Sequence, residues 1–194
     1  FKYTTGGGVL TEEQRQFYED SGYILIRNNV SHAFLDELKG RFLDICEGRV
    51  DTGGMTVMKD PSLRYKGVKG EYLINKIQEF LFDDVLFKYC AYLAVVDVIE
   101  SIIGTDITGA HSMLINKPPN SDPGASLHPM HQVHFEHYLY YFPYRPAEKI
   151  AASWTVMERV DESNRCLYIV PGTHTGQLYE HTYPDVIIYL LTHI

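Results

Sequence analysis

The chain has 194 residues, of which 45% are hydrophobic, and a formal net charge of -8. That length fits one domain with a sizeable core of its own, and the acidic balance excludes broad electrostatic capture of nucleic acid or an anionic membrane. Cys46, Cys90 and Cys166 are widely spaced with no CxxC pair, so neither a disulfide framework nor a zinc ribbon is indicated.

Leu10 to Ser21 is predicted to be a helix, because Thr11 followed by Gln14 makes a capping box and Gly22 supplies a stop. A strand, GYILIRNNV, is expected next. Ser31 then caps a second helix whose Leu35, Leu38, Phe42 and Cys46 recur at helical spacing and should lie on a core. Gly53 to Gly70, rich in Gly, Pro and Lys, is predicted to be a loop, and Glu71–Phe80 and Asp84–Ile103 to be helical up to Gly104. Beyond residue 105, Ala110–Lys117, Ala151–Val160 and Cys166–Val170 are short apolar or alternating runs bounded by turn residues, and read as strands. The expected order is thus a helical layer over residues 1–104 followed by the start of an all-β unit, pointing to a sandwich or jelly roll. No apolar run approaches the roughly 20 residues that a bilayer-spanning helix needs, so no membrane insertion is expected. Neither end reads as a targeting signal.

Chemistry concentrates in LHPMHQVHFEHYLYYFPYRP, which packs His128, His131, His134, His137 and Glu136 among aromatics. Imidazole and carboxylate are the side chains that hold Fe(II), Zn(II) or Mn(II). Neither HExxH nor HxxEH occurs, so a metalloprotease signature is absent. Tyr140, Tyr141, Phe142 and Tyr144 suit either an apolar channel wall or ordinary packing.

Six phrases in order, VLTEEQRQFYEDSGYILIRNNV, HSMLINKPP, HPMHQ, LYYFPYRP, ASWTVME and CLYIVPGTHTG, resemble the phytanoyl-CoA dioxygenase family over nearly the whole chain. The resemblance implies a mainly β fold with N-terminal helices, a double-stranded β-helix or jelly roll, carrying Fe(II) and the co-substrate 2-oxoglutarate in its mouth. It further implies a peroxisomal enzyme, assisted by ascorbate, that hydroxylates the carbon next to the thioester of phytanoyl-CoA or a related 3-methyl-branched acyl-CoA in fatty acid α-oxidation. By position, His131 resembles the first iron ligand, and Lys76, Met113 and Trp154 resemble residues that line the 2-oxoglutarate pocket together with it. Read without the resemblance, Lys76 is a solvated helix lysine and Met113 and Trp154 are core residues.

Two departures qualify what the resemblance implies. The family follows its first ligand with one residue and then an aspartate, whereas Val133 stands there and a block, VHFEHY, replaces the acid. Glu136 substitutes as the metal carboxylate if that segment bulges, and it has a one-residue spacing from His134. The second departure is the stretch after Tyr183-Pro184, where the family's second ligand histidine and anchoring arginine are not found. No Arg follows Arg165, His174 and His193 lie outside the expected context, and residues 186–194 read as an atypical tail. The expectation is therefore one domain over residues 1–194 with the C-terminal part of the barrel missing and the jelly roll begun over 105–185. The rival is a catalytically inactive truncated variant that binds acyl-CoA or a protein without turnover.

Overall fold

Thr11, extended at φ -66° and ψ 165°, turns its side chain onto the helix that follows. Its hydroxyl accepts the Gln14 N–H at 3.2 Å while the Gln14 side chain accepts the Thr11 N–H at 2.9 Å. This box starts α1 (Glu12–Ser21), and Gly22 ends it at φ 76°, donating to the Tyr18 carbonyl at 2.8 Å. The chain is described by a computed structural model for residues 1–122, 149–164 and 166–177.

A β-carbon at Gly22 would lie 2.5 Å from Nδ1 of His174, whose loop docks on the end of α1. Gly22→Ala is therefore expected to cost about 2 kcal/mol or more, the left-handed backbone alone accounting for roughly 1–2. Chemical denaturation checks it, and an unchanged midpoint would refute the docking.

The expected strand GYILIRNNV is not formed. Residues 23–26 are irregular, Leu25 stays exposed, and Asn28 at φ 57° turns the chain into the next cap. No strand among the described residues lies beside it to accept its ladder. The Ser31 hydroxyl then accepts the Phe34 N–H and opens α2 (His32–Cys46), whose Leu38, Phe42 and Ile45 are buried.

Two further corrections concern residues 53–80. The predicted loop contains β1 (Thr56–Lys59), and the predicted helix 71–80 is β2 (Ile74–Gln78) between single 3-10 turns at Gly70–Tyr72 and Phe80–Phe82. A bulge causes the second misreading. Met58 pairs with Lys76 but Lys59 pairs with Ile74, so Asn75 is an extra residue on β2. Ile74 and Ile77 both reach the core although they are three positions apart, a spacing that imitates a helix.

Asp83 stops the second 3-10 turn, and its carboxylate accepts the N–H groups of Val85 and Leu86 at 3.0 and 2.9 Å. The predicted helix 84–103 is therefore two, α3 (Phe87–Cys90) and α4 (Leu93–Ile103), broken at Ala91-Tyr92 and closed by Gly104. β3 (Met113–Ile115) completes an antiparallel sheet in the order β1-β2-β3. Of the three strands expected beyond residue 105, this one is paired. Residues 151–160 and 166–170 form no ladder among the described residues.

The described residues show helices backing one three-stranded antiparallel sheet, and two of its three strands lie inside the supposed helical layer. Leu38, Phe42 and Ile45 of α2 pack with Met55, Ile74, Ile77 and Leu86, and Met157 reaches in from the later segment. Among the described residues no helix is long and apolar enough to cross a membrane.

Candidate functional site

Strand pleating divides the sheet into two unlike faces. Val57, Ile77 and Leu114 point to the core, with Ile77 fully buried. The register places Met58 and Ile115 opposite Lys76, and Thr56 and Met113 opposite Gln78, so these six side chains share the outer face. Lys76 and Met113 are diagonal neighbours there, about 7–8 Å apart between backbones.

Lys76 is half-buried, and burial pushes its ammonium pKa down. No carboxylate among the described residues pairs with it. It is therefore a partly desolvated cation without a counter-ion among the described residues, flanked by Met58, Met113 and Ile115. A ligand carboxylate placed there would favour the charged form and satisfy the ammonium.

The bulge that aims Lys76 is pinned by Asn116, a residue that sequence reasoning passed over. Its side-chain amide donates to the carbonyls of Glu71 and Ile74, each at 2.8 Å, and its N–H donates to Asn75 at 2.9 Å. Asn116 stands inside the quoted phrase HSMLINKPP, but the bulge it serves leaves no signal in the sequence.

Trp154 lies on a separate segment. The Tyr89 hydroxyl of α3 is hydrogen-bonded to the hydroxyls of Ser153 at 2.9 Å and Thr155 at 2.7 Å, anchoring the chain on both sides of Trp154. Trp154 and Met113 are 53% and 44% exposed, which overturns the core reading of both. The reading of Lys76 as a solvated helix lysine also fails, since it sits half-buried on a strand.

His131, His134 and Glu136 lie outside the described residues. Among the described residues, no group of three or more His, Cys, Asp or Glu is arranged to hold a metal ion. His174 is occupied structurally: its Nε2–H donates to the Glu19 carbonyl at 2.9 Å and its ring meets Tyr3 edge-on at 5.0 Å. The cysteines are free; burial, with a smaller contribution from Glu71, pushes the Cys46 thiol up to about 12, and burial raises Cys90. Neither of these two is a thiolate nucleophile at neutral pH.

A helix-backed sheet with a half-dry lysine that no carboxylate among the described residues pairs, set among apolar side chains, is suited to seating a small carboxylic acid. Residues 18–186 match the family described as phytanoyl-CoA dioxygenase (PhyH). The chain is 49% identical over 187 residues to a probable phytanoyl-CoA dioxygenase of Caenorhabditis elegans, covering 94% of this chain and 58% of that protein. It is 43% identical over 185 residues to the peroxisomal phytanoyl-CoA dioxygenase of Rattus norvegicus and 41% identical over 185 residues to that of Homo sapiens, in each case covering 95% of this chain and 53% of the relative. The chain belongs to the phytanoyl-CoA dioxygenase family. It spans about half the length of the curated relatives it matches.

Proposed function

We propose that this chain carries the co-substrate face of an Fe(II)- and 2-oxoglutarate-dependent dioxygenase. The enzyme inserts oxygen at the carbon beside the thioester of phytanoyl-CoA or a related 3-methyl-branched acyl-CoA. The observation that carries this reading is Lys76, a half-buried ammonium on an open sheet face with no counter-ion among the described residues. On this reading the sheet is one wall of the family's double-stranded β-helix. The setting is the peroxisome, in keeping with the names of the mammalian relatives.

When bound, a ferrous ion and 2-oxoglutarate supply the oxidising chemistry: oxygen and the 2-oxo acid become succinate, carbon dioxide and the hydroxyl group on the substrate. Ascorbate keeps the iron reduced. The ammonium of Lys76 binds a carboxylate of the 2-oxo acid, Met113 covers its carbon chain, and Trp154 shelters the site from water. His131 and Glu136 offer an imidazole and a carboxylate, two of the three protein ligands of a facial triad.

The test is anaerobic titration of the purified chain with Fe(II) and 2-oxoglutarate, followed by oxygen and phytanoyl-CoA with succinate counted. Iron-dependent 2-oxoglutarate binding and succinate release coupled to phytanoyl-CoA are expected. Folded protein that binds neither and releases no succinate would leave the non-catalytic binding module in its place.

A further inference from the structure

The connection between β1 and β2 is a folded basic projection on an acidic protein. Arg64, Lys66 and Lys69 fall within it and Lys59, the last residue of β1, stands at its start, against a formal net charge of -8 for the chain. The acid between Lys59 and Lys69 is Asp60, which is fully buried. Four exposed cations elsewhere have carboxylate partners: Lys39 with Glu158, Arg49 with Asp44 and Glu47, Lys88 with Glu37, and Arg159 with Asp161. Among the described residues neither Lys59 nor any of the three loop cations has one.

The loop's shape is built in. Asp60 accepts the Ser62 N–H at 2.8 Å and its hydroxyl at 2.6 Å, and the N–H groups of Leu63 and Lys66 close successive turns at 3.2 and 3.0 Å. Leu63 is buried at 1% exposure and anchors the loop, so Arg64, Tyr65 and Lys66 form an outward tip on which Tyr65 is 91% exposed. This tip offers an aromatic face between two cations. That pairing suits a stacked base with adjoining phosphates, with little ordering left to do on binding. The loop also leaves the sheet one residue beyond Met58, the partner of Lys76, so it borders the face described above.

We propose that Arg64, Tyr65, Lys66 and Lys69 dock a 3′-phosphoadenosine diphosphate group, the anionic head of an acyl-CoA thioester. This rests on the substrate reading above and adds its anchoring site. The cations meet the phosphates and Tyr65 meets the adenine. The acyl end is thereby directed toward the face that carries Lys76.

The test is calorimetric titration of the full chain with coenzyme A, 3′-dephospho-coenzyme A and 2-oxoglutarate, repeated on the triple variant Arg64→Ser/Lys66→Ser/Lys69→Ser and on Lys66→Glu. Coenzyme A binding is expected to weaken about tenfold in the triple variant, as three exposed charge contacts each contributing a few-fold would give. The dephospho form should bind the unmodified chain less tightly, and 2-oxoglutarate binding should be unchanged by the loop substitutions. Equal coenzyme A affinity in the variants, no coenzyme A binding by the unmodified chain, or equally strong loop-dependent capture of phosphatidylserine vesicles would each overturn the assignment. Loop-dependent coenzyme A binding by a chain that fails to bind 2-oxoglutarate would uphold the docking site and refute the dioxygenase reading. Succinate release with coenzyme A binding indifferent to the loop would do the reverse.

Discussion

Replacing Lys76 with methionine is expected to weaken 2-oxoglutarate binding by about tenfold to a hundredfold, the worth of one charge-assisted contact of about 1.5–3 kcal/mol. The fold should be as stable or more stable. Lys76 is half-buried beside Met58 and Ile115 with no acid partner among the described residues, so methionine removes a desolvated charge and keeps the volume. The pH dependence separates this from a general packing change. Burial lowers the Lys76 pKa, so over the window between that depressed value and the ordinary lysine value of about 10.4 the unfolded chain binds more protons than the folded one. Stability from this group therefore rises with pH through that window, and the rise should vanish in Lys76→Met. Urea midpoints across the alkaline range, with calorimetric 2-oxoglutarate titrations of both proteins, make the comparison. Unaltered affinity in the variant would sink the role given to Lys76.

Asp83→Ala should cost about 3–5 kcal/mol, the usual penalty for removing one partner of a buried ion pair. The Asp83 side chain is 2% exposed and takes Nε and Nη2 of Arg41 at 2.9 and 2.8 Å. Its other oxygen accepts the Val85 and Leu86 N–H groups, so the substitution also strips the turn that leads into α3. Burial alone would raise the Asp83 pKa, but Arg41 and the two N–H groups outweigh it and hold the pKa below the ordinary aspartate value. The stabilisation is thus fully present above about pH 3.9 and is lost as pH falls through the folded value. The difference in urea midpoint between wild type and Asp83→Ala should shrink over that acid range. A difference that stays constant with pH would show that the carboxylate's charge is not what Arg41 holds.

What the sequence discloses here is governed by how local the causes are. The Thr11–Gln14 box, the Ser31 cap and the Gly22 and Gly104 stops act over a few residues, and each appears as read. β2 was legible only as apolar spacing, and the Asn75 bulge gave Ile74 and Ile77 a helical interval. GYILIRNNV has the composition of a strand, but a ladder needs a neighbour, which no composition reveals. Of the site, Lys76 and Met113 were named by resemblance, while their sharing of one face depends on pairing between strands 37 positions apart, from Lys76 to Met113. The Asn116 brace was invisible for the same reason. His131, named from the same resemblance, and Glu136, offered where the chain departs from it, lie outside the described residues.

The end of α1 has a consequence for synthesis. The Glu19 carboxylate accepts the N–H groups of Lys2, Tyr3 and Thr4, each at 2.8 Å, while its backbone carbonyl takes Nε2–H of His174, 155 positions further along. Contacts of such separation carry the largest loop-closure cost. As the chain emerges from the ribosome, the amino-terminal strap can seat on α1 early, but Gly22 must wait for the Gly172–Gly176 turn to be translated before its surface is covered. The α1 helix is thus finished long after it has formed, and a nascent chain stalled before residue 171 would carry its end bare for a chaperone or a protease to find.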